Sequence, residues 1–387
     1  MNPVSPLPAL VALTLALITA WAVSRYTLQP TAHQSRHASI DGLRGYLAFF
    51  VFLHHACIWY FYLRTGLWAE PPSHFYTHLG QSSVALFFMI TGFLFFNKLL
   101  EAKVKPIDWR ALYLSRLFRI TPLYLVLIAL VFVIVGQHSQ WTQKENTIDL
   151  LQHLADWLFF TFPGAPDINS MPNAFTIVAG VTWSLTYEWF FYISLPVWAW
   201  LIGTKPQRTW LFSMGLLALT IAVLYHPNGR HLKSFLSGVL AAYLVRSEKW
   251  RQLASSPTAS LLAIAALTTS VLGFPTAYQS MPWVLLTFVF AIIAGGNTLF
   301  GALTTKASHS LGEMAYSIYL LHGLALYVTL NWAIGATAAR ALSATEHWLL
   351  AILITPMLII LTLLSYRLIE RPGMMLGRTL SNKLKHD

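Results

Sequence analysis

The chain has one cysteine in 387 residues, and only 10% of its residues carry a charge. A single thiol, Cys57, excludes an intramolecular disulfide and any multi-cysteine zinc site. The scarcity of charge excludes more. A soluble domain has about 25% charged residues, so this chain has too few to clothe a water-facing surface. No internal repeat and no low-complexity tract is visible, and neither end is expected to hold a soluble domain.

What the chain has instead is apolar: 56% hydrophobic and 14% aromatic residues, with a mean hydropathy of +0.57. Repeated long apolar runs predict an all-α, polytopic integral membrane protein. Length and flanking residues place eleven transmembrane helices at 7–25, 42–63, 79–100, 117–137, 182–203, 209–226, 231–247, 257–274, 280–300, 309–332 and 347–366. The stretch 150–163 is too polar and too short to span, and reads as an interfacial or re-entrant piece.

The formal net charge of +11 would suggest nucleic acid on a soluble protein; here its distribution decides. With these spans, twenty Lys and Arg fall on one side, among them Arg36, Arg44, Arg116, Arg119, Arg246, Arg371 and Lys385. The other side has five: Arg64, Lys144, Arg230, Lys233 and Arg340. The positive-inside rule then puts the N-terminus outside and the C-terminus in the cytoplasm. "AWA" at Ala20–Ala22 has the small residues of a signal-peptide cleavage site, but no Lys or Arg precedes the apolar core, so the first helix reads as retained.

A charged residue at the bilayer centre costs roughly 2.5–3.5 kcal/mol on insertion scales, so each polar group in a span asks for a reason. In "SIDGLRGYLAFFVFLHHACIWYFY", Arg44 and His55 stand eleven residues apart. At about 100° and 1.5 Å per residue they share a helix face, separated by about 16 Å. His54 lies about 80° off that face and reads as a packing or interhelical group. Asp41 reads either as the N-cap of the helix that Gly42 begins or as part of the chemistry.

In "WSLTYEWFFYISLPVW", Glu188 sits about 10 Å below the outer end of its helix, and His55 about 12 Å below the end of its own. Two helices distant in sequence thus bring an imidazole and a carboxylate to matching depth. "SRLFRITPLY" places Arg116 and Arg119 at i,i+3 on one face at a cytoplasmic entrance. Positive-inside anchoring explains such a pair, and so does phosphate recognition through the planar guanidinium fork. "HSLGEMAYSIYLLHG" adds Glu313, Tyr316, Ser317 and His322, the last at a depth similar to His55.

An imidazole beside a carboxylate is a general base that can deprotonate a hydroxyl near neutral pH. Arginines on the cytoplasmic side suit a phosphorylated donor, and a coenzyme A thioester meets both demands. No G-x-S-x-G elbow is present and Cys57 lies off the His55 stripe, so direct transfer to the acceptor is favoured over a covalent acyl-enzyme. No metal site is expected. A reading from a different class is a proton-coupled transporter using His55, Glu188 and His322 as a relay. Against it, neither paired half-helices nor repeat symmetry is visible.

The set "SIDGLRG", Arg44 with His55, "VALFFMITGFL", "RLFRITPLY", "TWSLTYEWFFY", "GEMAYSIYLLH" and "YRLIERP" resembles, in order, the motifs of the bacterial membrane acyltransferase-3 family. The likeness covers about residues 39–372. It implies an inner-membrane enzyme that takes an acyl group, most often acetyl, from cytoplasmic acyl-CoA as co-substrate, with no bound cofactor. The acceptor it implies is a hydroxyl of a surface polysaccharide, lipopolysaccharide or exopolysaccharide; a macrolide or other small molecule is the alternative on the same scaffold. It also implies His55 as catalytic base with Glu188 as its acidic counterpart, and Arg44, Arg116 and Arg119 as donor contacts. Asp41, Trp183, Ser184, Tyr187, Tyr316, Ser317 and His322 become supporting residues. Two departures stand out: Thr91 replaces the usual Ser, and a helix precedes the usual start of the family. The expected organisation is therefore an extra helix and linker (1–34), an acyltransferase core (35–372) and a basic cytoplasmic tail (373–387).

Overall fold

The computed structural model describes residues 1–27 and 37–383. The junction expected near residue 34, Arg36 and Lys385 lie outside the described residues. Among those described, helices make up the fold and no strand occurs beyond an isolated bridge between Ile168 and Met171. The helices are α1 (Leu7–Thr27), α2 (Ala38–Thr65), α3 (His74–Glu101), α4 (Trp109–His138), α5 (Thr147–Leu158), α6 (Trp183–Leu201), α7 (Arg208–Tyr225) and α8 (Gly229–Leu244). They continue as α9 (Glu248–Ala254), α10 (Pro257–Gly273), α11 (Ser280–Ala294), α12 (Lys306–Glu313), α13 (Ala315–Val328), α14 (Ala336–Ala341), α15 (Ala344–Ser365) and α16 (Arg371–Lys383).

Among the described residues, six helical stretches are long and apolar enough to cross a membrane: α1, α2, α3, α4, α7 and Ala344–Lys383. A seventh arises if α9 and α10, bent by 71° at their junction, form one span. Each expected span overlaps a helix, but the one expected over 280–300 ends at Ala294, and several of these helices are too short or too polar to qualify alone. The helix expected over 309–332 is interrupted at Met314, between α12 and α13, and passes into a π-helical turn at Thr329–Ala333. The interfacial stretch expected at 150–163 is α5, which exposes Ile148, Leu151 and Leu158.

The chain forms two compact units. The first comprises Met1–Phe96 and Gly229–Leu363, the second Asn97–Asn228 with the C-terminal segment from Leu364. In the first unit, α2 is the buried axis: Leu47, Ala48, Phe49, Phe52 and Ala56 are all inside. Its first turns are held by close backbone approach. A Cβ at Gly45 would collide with Leu311 and Gly312, and a Cβ at Gly312 with the Asp41 carbonyl. Of the two glycines of "DGLRG", Gly45 is thus explained by α12 lying against α2, and Gly42 by the Leu303 backbone, which a Cβ there would enter. On α1, Ala9, Ala12, Ala16 and Ala20 form a buried small-residue stripe, the side-chain pattern that lets helices approach closely in lipid. Thr27 Oγ1 meets Ser310 Oγ at 2.8 Å, so the additional first helix packs on the core of this unit.

In the second unit α16 packs on α4, where Gly373 and Gly377 lie against Phe118 and Pro122. Asp108 caps α4, accepting from the Ala111 amide at 2.9 Å. The loop from α5 to α6 is pinned by Asn169, whose amide side chain donates to Thr142 O and whose carbonyl oxygen accepts from Lys144 N.

Candidate active site

His54 and His55 are adjacent on α2, and the structure separates them as the helical angle requires. His54 is buried and its Nδ1 lies 2.8 Å from Tyr76 O, so Nδ1–H donates to that carbonyl. It is a structural group that ties α2 to the start of α3. His55 is only half-buried, and its ring lies at 4.9 Å from that of His54 and 6.1 Å, near-parallel, from Trp68.

His55 meets a second imidazole. Its Nδ1 lies 2.9 Å from Nε2 of His322, and 3.0 Å from Val51 O one turn below on α2. His322, fully buried on α13, has its own Nδ1 3.0 Å from Ile318 O. These three contacts fix the protons of the neutral rings. A carbonyl oxygen accepts only, so Ile318 requires a proton on Nδ1 of His322, which leaves Nε2 as a lone pair. That lone pair and Val51 O both require the proton of His55 on Nδ1. The reverse assignment would set lone pairs against two carbonyls. Nε2 of His55 is therefore the basic nitrogen, and among the described residues it has no hydrogen-bond partner. The arrangement is a ring held by its neighbours in the tautomer that keeps the other nitrogen available as a base.

The remaining α2 residues take the following places. Asp41 lies in the first turn, not at the N-cap expected of it: the helix starts at Ala38, with His37 at the cap and no side-chain capping bond. Asp41 marks instead where α12 crosses, through its carbonyl against Gly312. Arg44 is half-buried on the stripe that leads to His55, and α2 is continuous between them. On α13, Ser317 is fully buried and Tyr316 half-buried, both within two turns before His322.

The second unit holds the other group of expected residues. Glu188 on α6 accepts a hydrogen bond from the Tyr192 hydroxyl one turn on. Arg116 on α4 interacts with Tyr192 and Glu188, so a guanidinium, a phenol and a carboxylate form one cluster. Arg116 Nη2 also donates to Ser115 Oγ at 3.1 Å, and Arg119 Nη1 approaches Met374 Sδ at 3.5 Å. At the start of α6, Trp183 packs edge-on against Tyr187 at 5.7 Å, and Ser184 Oγ donates to Val181 O. The Tyr187 hydroxyl accepts from the Asn228 amide at 2.9 Å. Sequence reasoning missed Tyr192, although its i,i+4 spacing from Glu188 was available as a signal. It also missed Trp68, for which a loop position offers none. Among the described residues, no group of three or more His, Cys, Asp or Glu could hold a metal ion.

The family model described as "Acyltransferase domain" (acyltransferase 3) matches residues 37–367. The chain is 26% identical over 382 residues to "Acyltransferase MdmB" of Streptomyces mycarofaciens, covering 89% of this chain and 93% of that protein. It is also 26% identical over 387 residues to "Nodulation protein 10" of Rhizobium leguminosarum bv. viciae, covering 90% of this chain and 96% of that protein. No solved structure matches. With a family match over most of its length on an all-helical scaffold of membrane-length apolar helices, the chain belongs to the acyltransferase-3 family and is a multi-pass membrane acyltransferase.

Proposed function

We propose that the enzyme transfers an acetyl group from cytoplasmic acetyl-CoA to a hydroxyl of a cell-surface or secreted carbohydrate, with His55 as general base. The observation that carries this reading is the His55–His322 contact, which leaves Nε2 of His55 as a basic nitrogen without a hydrogen-bond partner among the described residues. In the step, Nε2 takes the proton of the acceptor hydroxyl as its oxygen attacks the thioester carbonyl carbon. The new C–O bond forms, the C–S bond breaks, and the proton passes on to the departing thiolate. General-base action of this kind contributes roughly 10²–10⁴-fold.

Arg44, Arg116 and Arg119 bind the donor's phosphates, for which the guanidinium fork is suited. Glu188 is the acidic counterpart, held by Tyr192 and Arg116; Asp41, Trp183, Ser184, Tyr187, Tyr316, Ser317 and His322 support the two groups. On this reading the chain crosses a bacterial inner membrane eleven times, N-terminus outside and C-terminus in the cytoplasm, an orientation that the distribution of Lys and Arg supports. Its core is 35–372, preceded by the extra helix and followed by a basic cytoplasmic tail.

The test is transfer of label from radioactive acetyl-CoA to a cell-envelope glycan fraction by membranes holding the wild-type enzyme or His55→Ala. The expected result is transfer by the wild type and none above background by the variant. Undiminished transfer by His55→Ala would overturn the base assignment. Label appearing only in small molecules would overturn the carbohydrate acceptor.

A further inference from the structure

The first unit contains a second feature that the reaction does not use: an apolar slot of about 520 Å³ between α2, α3, α10 and α11. Its volume is that of a small-molecule site, roughly 300–1,000 Å³. Its shape is set by α3, which contributes Phe75, His78, Leu79, Ser82, Ser83 and Leu86. These fall at i, i+3, i+4, i+7, i+8 and i+11, one continuous face about 16 Å long. Among the described residues no Lys, Arg, Asp or Glu lines the slot, so it offers no counter-charge to a phosphorylated ligand.

The polar groups of the slot are unequal. His78 and Ser82 are already satisfied: Nε2 of His78 lies 2.9 Å from Phe274 O and donates to it, and Nδ1 lies 2.9 Å from Ser82 Oγ and accepts from it. Ser270 is different. It lines the slot, is fully buried, and its hydroxyl has no hydrogen-bond partner among the described residues. A buried hydroxyl without a partner costs about 1–3 kcal/mol, so this position asks for a ligand oxygen.

Ser270 also gives the slot a direction. It stands on the last turn of α10, and the Phe274 carbonyl just beyond is bonded to His78 on the first turns of α3. The oxygen-seeking group is thus at one end of the stripe, beside Phe75 and His78. The other end, at Leu43, Leu86 and Leu303, is apolar apart from the Tyr46 hydroxyl, which already donates to Ala302 O at 3.1 Å. A run of about 16 Å is close to half of the roughly 30 Å hydrocarbon core, the depth of one leaflet.

We propose that this slot holds one acyl chain of a bilayer glycerolipid, with its ester carbonyl accepting from Ser270 Oγ and its tail running toward Leu86. An ester carbonyl at the head of a hydrocarbon chain supplies an acceptor at one end and none along its length, which matches the Ser270 end and the apolar run beyond it. On the orientation proposed above, the last turn of α10 is at the outer face, so the lipid is drawn from the outer leaflet. The occupant does not take part in acyl transfer.

The probe is a phosphatidylethanolamine bearing a diazirine in mid-chain, mixed into vesicles that hold the full-length protein. After irradiation, labelled peptides are mapped. Label is expected to concentrate on 75–86 and 267–272, above the lipid-exposed positions Leu353 and Met357 of α15. Leu79→Trp and, separately, Leu86→Phe fill the slot and should lower that labelling several-fold while α15 labelling stays constant; constant α15 labelling reports an intact fold. Ser270→Ala should lower the glycerolipid that co-purifies in mild detergent, weighed by mass spectrometry, with Ser270→Thr restoring it. Slot labelling no higher than that of α15, or unchanged in both filled variants, would overturn the proposal. So would recovery of a fatty acyl-CoA or a prenyl lipid in place of the glycerolipid.

Discussion

Nε2 of His322 lies 2.9 Å from Nδ1 of His55, and the two rings face each other at 5.0 Å with 24° between their planes. The contact joins helices separated by 267 residues of sequence. Because Ile318 O holds the proton of His322 on Nδ1, the bond runs from His55 to His322. The side chain at 322 is needed as an acceptor, not as a base. His322→Gln, whose carbonyl oxygen can take the same proton, should therefore keep more activity than His322→Leu. Losing the acceptor costs about 1–3 kcal/mol, which at 1.36 kcal/mol per decade is roughly 5- to 150-fold in kcat. Equal losses in the two variants, measured at saturating acetyl-CoA, would reduce His322 to packing.

The crossing of α12 over α2 makes a second prediction. A Cβ at Gly312 would enter the Asp41 carbonyl, whereas a Cβ at Gly273 meets nothing within 4 Å. Overpacking of a rigid backbone contact costs typically about 1–3 kcal/mol. Gly312→Ala should lower the unfolding temperature in detergent by several degrees and depress activity, since α2 carries both Arg44 and His55. Gly273→Ala should do neither.

Much of this arrangement was legible in the chain. The eleven-residue spacing of Arg44 and His55 places them on one face because α2 is an uninterrupted helix. Counting inward also put His322 at the depth of His55, where it lies. What counting does not reveal is contact between helices, since 3.6-residue periodicity fixes angle and depth along one axis only. The start of α2 was misplaced for a local reason: Asp41 is a good capping residue, but the helix begins a turn earlier without a capping side chain. The break at Met314 has no Pro or Gly at the break itself to announce it, and the slot beside α3 takes residues from both ends of the first unit.

The Glu188–Tyr192 pair allows a third prediction. Tyr192 is buried, and its hydroxyl is the donor to a carboxylate that also interacts with Arg116. A hydrogen bond to a charged group is worth about 1.5–3 kcal/mol. Tyr192→Phe removes only the donor, and should lower kcat/KM by roughly 10- to 100-fold with little change in the amount of folded protein. Glu188→Gln keeps a hydrogen-bond acceptor but removes the negative charge beside Arg116. A larger loss in Glu188→Gln than in Tyr192→Phe is the expected order, and the reverse would make the phenol the reacting group.

The role of the arginines is separable from their role as anchors. Anchoring depends on charge near the cytoplasmic face, and Lys supplies it as well as Arg. Phosphate recognition depends on the planar fork, which Lys lacks. Arg116→Lys and Arg119→Lys should therefore insert and accumulate like the wild type yet show a raised KM for acetyl-CoA. The donor supplies the control: S-acetylpantetheine carries the same thioester and arm without the phosphates. Its KM, already higher than that of acetyl-CoA on the wild type, should be the same on both variants. Arg116 sits in the cluster with Tyr192 and Glu188, whereas Arg119 approaches Met374 on α16, so the larger effect is expected at Arg116. If KM for S-acetylpantetheine rises in parallel with that for acetyl-CoA, the arginines act on the thioester end or on the fold, and the phosphates are bound elsewhere.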